Sequence, residues 1–409
     1  MENKKCKGMR DLLPKDMVRF RHIEDTFRSC CLRYRYQEVR TPTLEYLHLF
    51  TAMGTLTPSM LGKVYSFLDW DGWSGERVVL RPDGTIPIAR LYINNLSEHE
   101  IAKLFYVANI FAFEETGRES RERWQCGAEF LGGTKLAADV EVISLAKEVV
   151  HKLGINNVKL QLSHAGLVKA LIKELKLGPG EEAKVISRVL DGDWQALTEA
   201  KSTRSELDKL LSLLLNLKGK SSGFLQNANA LCQQASSDFK SSMEDFINIT
   251  TLLDSLSCSY EIDIMAIRGF EYYTGVCFQI LADREKIGGG GRYDDLIPFM
   301  SGKNTTACGF ALYIDPTMKL LPPESKESSE SRILIKGEDS TPEMVKTCFT
   351  LAQSLREAKH TVEFDFTGRE STNYRWVISV SKEPSPFVLI DRQQKQQKDV
   401  ASAAEILGI

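Results

Sequence analysis

The chain has 409 residues and a mass of 46.0 kDa, enough for two or three domains with full-sized cores, which excludes a small stapled scaffold. Its 52 basic and 55 acidic residues give a formal net charge of -3, with both signs mixed along the chain, and this argues against a general polyanion binder. At 43% hydrophobic and 26% charged residues the composition is that of a folded globular protein, not a disordered one.

No apolar run reaches the ~18 to 20 residues of a membrane span, and Met1 to Arg10 is charged without an apolar signal core. A cytoplasmic protein without membrane contact is expected. The nine cysteines form no CxxC pair, so neither a disulfide framework nor a zinc site is supported. They read as small apolar fillers, with at least one of the neighbours Cys30 and Cys31 partly exposed.

Met17 to Tyr34 carries apolar residues at helical spacing and predicts a helix, and Val39 to Leu44 predicts a strand interrupted by Pro42. Lys63 to Phe67 and Glu76 to Arg81 predict two strands around the turn Asp69 to Gly75, followed by a helix over Thr85 to Asn95. Leu104 to Phe113 and Trp124 to Phe130 predict two antiparallel strands joined by the charged loop Glu114 to Glu122. A helical stripe of Val142, Leu145, Ala146, Val149 and Leu153 follows, then a strand over Val158 to Ser163. From Gly166 to Leu256 the composition shifts to Leu, Lys, Glu, Ser and Gln with almost no strand signal, which predicts an all-helical insertion. Tyr260 to Ile267, Val276 to Leu281 and Ala307 to Leu312 predict strands that share one sheet with the early ones. Pro322 to Ser331 reads as a linker. Beyond it, strands over Arg332 to Lys336, Thr361 to Phe366, Trp376 to Val380 and Phe387 to Asp391, with a helix over Glu343 to Ala358, predict a small α/β domain. The expected division is a core from residues 1–165 and 258–322, an insertion at 166–257, and a C-terminal domain at 331–409.

Several segments suit ligand chemistry, each beside a plainer reading. Arg81, Pro82, Asp83, Gly84 and Thr85 join a strand to a helix, where a carboxylate and a hydroxyl suit a substrate ammonium or an ordinary helix cap. Gln125 and Glu129 lie four apart on a strand and project from one face, beside Arg118, Arg121 and Arg123; a ligand or a buried polar network would satisfy them. Arg268 to Tyr273 places a guanidinium near phenols, which suits a two-point grip on a carboxylate or a structural ion pair with aromatic packing. Gly288 to Gly291, before Arg292, Tyr293 and Asp294, allows a ligand to approach backbone and is equally at home in a turn. None of the six histidines shows metal spacing, and no Walker-type loop or GxSxG elbow is present, so no metal or cofactor is expected.

Taken in order, these segments resemble the class II aminoacyl-tRNA synthetase core, specifically the histidyl-tRNA synthetase group. Gly8 to Leu13 resembles that family's amino-terminal signature, Glu38 to Glu45 the dimer-forming motif 1, Phe105 to Gly132 motif 2, and Arg268 to Tyr273 with Gly289 to Tyr293 the two histidine-specific motifs. The resemblance implies an α+β fold: an antiparallel sheet flanked by helices, with a helical insertion and a shortened anticodon-binding-like C-terminal domain. It further implies a homodimer and a histidine pocket made by Asp83, Thr85, Gln125, Glu129, Arg268, Tyr272 and Tyr273. In it Asp83 (usually Glu in the family) and Thr85 would face the α-amino group, Gln125 would orient the amino acid, Glu129 and Tyr273 would meet the imidazole, and Arg268 the carboxylate.

The nucleotide half departs from the synthetase pattern. Ala112 stands where motif 2 carries an Arg for the α-phosphate, and Pro316 where motif 3 ends in an Arg for the γ-phosphate. Phosphoryl-type chemistry depends on fixed positive charge, an arginine being worth roughly 10³ to 10⁵ in rate, so losing two predicts that adenylation is silent. The chain is in this respect similar to the histidyl-tRNA synthetase-like regulatory subunits of ATP phosphoribosyltransferase, the first enzyme of histidine biosynthesis. That resemblance implies histidine sensing and a short-form catalytic subunit as partner. The alternative is an active, divergent synthetase that charges tRNA, with Arg118, Arg121 or Arg123 replacing the missing cations.

Overall fold

The computed structural model describes residues 4–52, 62, 64–69, 75–112, 121–190, 192–200, 218–232, 235–265, 272–301, 303–321, 332–365, 374–382, 387–400 and 403–406. The chain divides into two compact units, residues 1–322 and 323–409.

The first unit opens with α1 (Pro14–Arg33), where Pro14 occupies the first helical position and the Asp16 carboxylate accepts from the Leu13 N–H at 3.0 Å. Then come β1 (Gln37–Glu38), β2 (Leu44–Tyr46), α2 (Leu47–Ala52), β3 (Ser66–Leu68), β4 (Arg77–Leu80), α3 (Thr85–Asn95), β5 (Ile101–Phe111), β6 (Glu122–Gly132), α4 (Lys135–Lys152) and β7 (Val158–His164). The helical segment holds α5 (Ala165–Glu174), α6 (Pro179–Leu190), α7 (Gln195–Glu199), β8 (Lys218–Gly219), α8 (Ser222–Leu231) and α9 (Ser237–Ser255). The chain returns through β9 (Glu261–Asp263), β10 (Val276–Ala282), β11 (Glu285–Arg292), α10 (Leu296–Ser301), β12 (Ala307–Tyr313) and α11 (Ile314–Leu320).

A nine-stranded sheet runs in the order β1-β5-β6-β12-β11-β10-β7-β9-β8. Its central strands, from β5 to β7 in that order, are antiparallel throughout; β1 joins β5, and β9 joins β7, in parallel. Strand alternation then sorts the core. Trp124, Cys126, Ala128 and Phe130 of β6 face the layer of α1 and α4, where Phe27, Phe105, Val142, Val149 and Phe310 lie buried. Leu104, Tyr106 and Ala108 of β5 face the opposite layer, against Ile86, Ile88 and Tyr92 of α3 and Leu296 and Ile297 of α10.

Three expectations are corrected here. The early strands do not all enter the main sheet: β2, β4 and β3 form a separate three-stranded sheet. Pro42 marks the break, since the chain leaves β5 just after Val39 and cannot continue a ladder through a residue without an N–H. Arg81 satisfies the carbonyls stranded there, donating to Thr41 O at 3.0 Å, Pro42 O at 3.2 Å and Asn109 O at 2.7 Å. Second, the helical segment contributes the short strand β8 to the sheet edge through β9, and its Leu167, Leu171, Phe239 and Phe246 share one apolar cluster with the sheet. Third, Cys30 and Cys31 are both buried, at 1% and 0% exposure, because α1 is covered by both the sheet and α4 over a stripe wide enough for adjacent positions.

The second unit contains β13 (Arg332–Gly337), α12 (Pro342–Glu357), β14 (Thr361–Phe364), β15 (Trp376–Val380), β16 (Phe387–Asp391), β17 (Gln396–Val400) and α13 (Ala403–Ile406). Its five-stranded sheet has the order β14-β13-β15-β16-β17, parallel around β13 and antiparallel beyond β15. Met344, Cys348, Leu351 and Leu355 of α12 pack on Ile333, Ile335, Ile378 and Val380. The polar β17 has four exposed residues and carries no apolar alternation that the sequence could announce.

Candidate functional site

The same-face spacing of Gln125 and Glu129 brings both side chains to the α3 side of the sheet, where they are 3% and 1% exposed. A burial this deep requires partners, and the neighbouring strands provide them. Thr85, at the start of α3, donates its hydroxyl to Glu129 Oε1 at 2.9 Å, and the Tyr293 hydroxyl donates to Glu129 Oε2. Gln125 Nε2 donates to the Tyr106 hydroxyl at 2.9 Å.

Room for these groups comes from missing side chains. Gly309 stands directly opposite Glu129 in the β6–β12 ladder, and a Cβ there would overlap Glu129 Oε2. Gly127 stands opposite Tyr106 in the β5–β6 ladder, and a Cβ there would overlap the tyrosine ring. Gly84 meets the edge of the same ring from the start of α3. The run Gly288 to Gly291, compatible with a turn on sequence alone, is the interior of β11, and Gly291 pairs with Gly309. The result is a strip of backbone without side chains, bordered by a carboxylate, a carboxamide and phenols.

Burial pushes the Glu129 carboxyl from its usual 4.5 up to about 8; the Tyr293 and Thr85 hydrogen bonds pull the other way, and nearby Asp83 adds to the rise. Burial likewise raises Asp83, and it raises the phenols of Tyr106, Tyr272, Tyr273 and Tyr293. The site thus holds its acidic groups toward their neutral forms. A cationic or strongly hydrogen-bonding guest would supply what water no longer does.

Tyr272 and Tyr273 meet at 4.6 Å between ring centroids with their planes tilted by 36°, and Tyr272 meets Tyr293 edge-on at 5.8 Å, so three phenols build one wall. Asp83 lies at the start of α3, where its Oδ1 accepts from the Ile86 N–H at 3.0 Å, so one of its two oxygens serves the helix end. Arg292 turns away from the strip: its Nε donates to Asp139 Oδ2 at 2.9 Å, Nη1 to Asp294 Oδ1 at 2.8 Å and Nη2 to Lys135 O at 2.8 Å. Arg268 and Arg118 lie outside the described residues.

At the opposite end of β6, Arg123 shares the face of Gln125, while Arg121 packs over Gly8 and its backbone N–H donates to Gly8 O at 2.8 Å. Ala112 follows β5 and donates its N–H to Arg121 O at 3.1 Å. Pro316 sits in the first turn of α11, where its missing N–H costs no helical bond. Beside it, Asp315 accepts from Arg10 and, at 3.0 Å, from the Trp124 N–H. The two positions expected to hold phosphate-binding cations therefore carry uncharged side chains, with an anionic neighbour. Among the described residues, no group of three or more His, Cys, Asp or Glu side chains is arranged for a metal ion, and no helix is long and apolar enough to cross a membrane.

Two site tyrosines escape a reading of the sequence alone. Tyr293 is visible there only as the residue after the glycine run, and Tyr106 as one aromatic in an apolar strand. The available signal was Gly127 midway between Gln125 and Glu129, which leaves space for a large group on the neighbouring strand.

Residues 8–317 match the family model described as histidyl-tRNA synthetase. The chain is 45% identical to an ATP phosphoribosyltransferase regulatory subunit of Dehalococcoides mccartyi over 98% of this chain and 97% of that one. It is 32% identical to a histidine–tRNA ligase of Thermococcus kodakarensis over 99% and 98% of the two chains. Among solved structures it is similar to an ATP phosphoribosyltransferase regulatory subunit/histidyl-tRNA synthetase from Bacillus halodurans, with a TM-score of 0.78, 25% identity, and coverage of 92% of this chain and 98% of that one.

Proposed function

We propose, from the premise that this chain belongs to the histidyl-tRNA synthetase family, that it is a non-catalytic regulatory subunit of ATP phosphoribosyltransferase that binds free histidine and relays feedback to a short-form catalytic subunit in the cytoplasm. The observation that carries this reading is the pairing of an intact polar pocket, Glu129 with Thr85 and Tyr293 and Gln125 with Tyr106, with uncharged side chains at Ala112 and Pro316. An imidazole has a donor and an acceptor nitrogen at opposite edges of a flat ring, which suits a carboxyl beside phenols above a bare backbone strip. A triphosphate needs fixed cations that these two positions do not supply.

In this reading Asp83 and Thr85 face the amino group, Gln125 orients the ligand, Glu129 with Tyr272 and Tyr273 encloses the imidazole, and Arg268 takes the carboxylate. Residues 166–257 act as a helical insertion, and residues 331–409 as a shortened anticodon-binding-like module. The protein works as a homodimer: Leu44 and Tyr46 on β2 and Phe67 on β3 project from one face of the small sheet, and all three are exposed, as expected of a surface that a second copy covers. Acidic residues outnumber basic ones from 323 to 409, which weighs against RNA as the partner of the second unit.

The test combines two measurements on the purified protein. Calorimetry should show one histidine site per chain, and histidine-dependent exchange between ATP and pyrophosphate should stay at background. A second reading, histidine activation and tRNA charging with Arg121 and Arg123 replacing the missing cations, is favoured by Arg123 on the site face two residues from Gln125. Robust exchange would establish that reading and remove the first.

A further inference from the structure

We propose that Lys169 is a positioning residue that fastens the aromatic wall of the pocket to the helical segment, so that histidine occupancy and the packing of α5 and α9 are coupled. This rests on the histidine pocket proposed above.

Tyr272 and Tyr273 lie just before β10, and the backbone from Tyr273 to Gly275 is held from two sides. On one side the Thr274 N–H donates to Arg292 O at 2.7 Å and the Asp294 N–H donates to the Thr274 hydroxyl at 3.0 Å, which ties this stretch to the chain on either side of Tyr293. On the other side the Ala165 N–H donates to Gly275 O at 2.8 Å, and Lys169 Nζ donates to Tyr273 O at 2.7 Å. Ala165 and Lys169 are four apart and therefore share one face of α5, so the helix grips this stretch at two successive turns. Between them, Gly166 lies so close that a Cβ there would be 2.8 Å from Thr274 O. The first turn of α5 thus rides directly on the backbone that carries the tyrosines.

The grip continues into α9. His164 precedes α5, and its Nδ1 accepts from the Leu167 N–H at 3.1 Å, so the ring hydrogen sits on Nε2 and is donated to Asp245 Oδ2 on α9 at 3.1 Å. A shift of the backbone that carries Tyr272 and Tyr273 onto a ligand moves the Tyr273 carbonyl, and that carbonyl is bonded to Lys169. Coupling of this kind is reciprocal: whatever shifts α5 changes the affinity of the pocket, and ligand in the pocket tightens α5 and α9.

The experiment uses the full-length chain. Histidine affinity is measured by calorimetry for the wild type, Lys169→Met, Lys169→Arg and the control Lys173→Met, an exposed lysine of the same helix whose ammonium lies 3.6 Å from Asp238. Lys169→Met should weaken histidine on the order of tenfold, Lys169→Arg should recover most of the loss, and Lys173→Met should match the wild type. Amide hydrogen exchange supplies a readout that a merely structural lysine would not move. In the wild type, histidine should slow exchange in β6, α5 and α9; in Lys169→Met the slowing should be confined to β6. Wild-type affinity in Lys169→Met overturns the proposal, as does a histidine-binding wild type whose α5 and α9 exchange is unchanged by ligand. A wild type that binds no histidine removes the functional reading itself, an outcome distinct from either.

Discussion

Replacing Glu129 by Gln removes an ionisable group whose proton is held by burial, and the consequence has a calculable sign. The folded carboxyl titrates near 8 against 4.5 for the ordinary group. Between these values the native state keeps a proton that the unfolded chain has lost, so stability falls as pH rises. The difference corresponds to about 5 kcal/mol over the whole window at 1.36 kcal/mol per pH unit, and about 2 kcal/mol between pH 5.5 and 7.5. Asp139, which burial raises to about 7 against the pull of Arg292, slopes in the same direction, so the informative quantity is wild type minus variant. Urea denaturation of the ligand-free protein at pH 5.5, 6.5 and 7.5 should show wild-type stability falling more steeply than that of Glu129→Gln, the two curves converging toward low pH. Parallel curves would refute the burial argument, because they would mean that the wild-type carboxyl is already ionised in the fold. The same variant should bind histidine roughly 2- to 10-fold more weakly, the measure of a hydrogen bond between neutral groups worth about 0.5 to 1.5 kcal/mol.

Tyr293→Phe deletes the hydroxyl that donates to Glu129 Oε2, so the carboxyl should titrate higher still and the pH at which stability stops falling should move upward, as the same denaturation series would reveal. Gly309→Ala places a methyl on Glu129 Oε2; it should cost about 1 to 3 kcal/mol by thermal denaturation and abolish the calorimetric histidine signal, since the carboxyl must leave its pocket. Arg81→Met leaves Thr41 O, Pro42 O and Asn109 O without their donor and should destabilise the first unit by about 3 kcal/mol or more, measurable as a lowered urea midpoint.

How much of this was legible depends on how far along the chain each signal extends. The stripe of Val142, Leu145, Ala146 and Val149 names its own helix, and the spacing of Gln125 and Glu129 names a shared face, because in both cases the informative residues lie on one element. Edge strands of two residues, such as β1 and β8, are too short to show a period, and β17 pairs through its backbone with polar side chains that follow none. The departure of the chain at Pro42 was visible, but its consequence, a second small sheet, required knowing that Arg81 receives the stranded carbonyls. The pocket divides in the same way. Glu129 could be picked out from its own strand, whereas its partners come from the start of α3 and the end of β11, and the space it occupies is set by a glycine on β12. Strand register fixes these neighbours, and register is a property of pairs of segments. A buried carboxyl with a raised pKa is therefore the product of four separate segments, and a change in any one of them, such as Gly309→Ala on a strand that carries no ligand-facing side chain at that position, should reach the ligand as surely as a change in Glu129 itself.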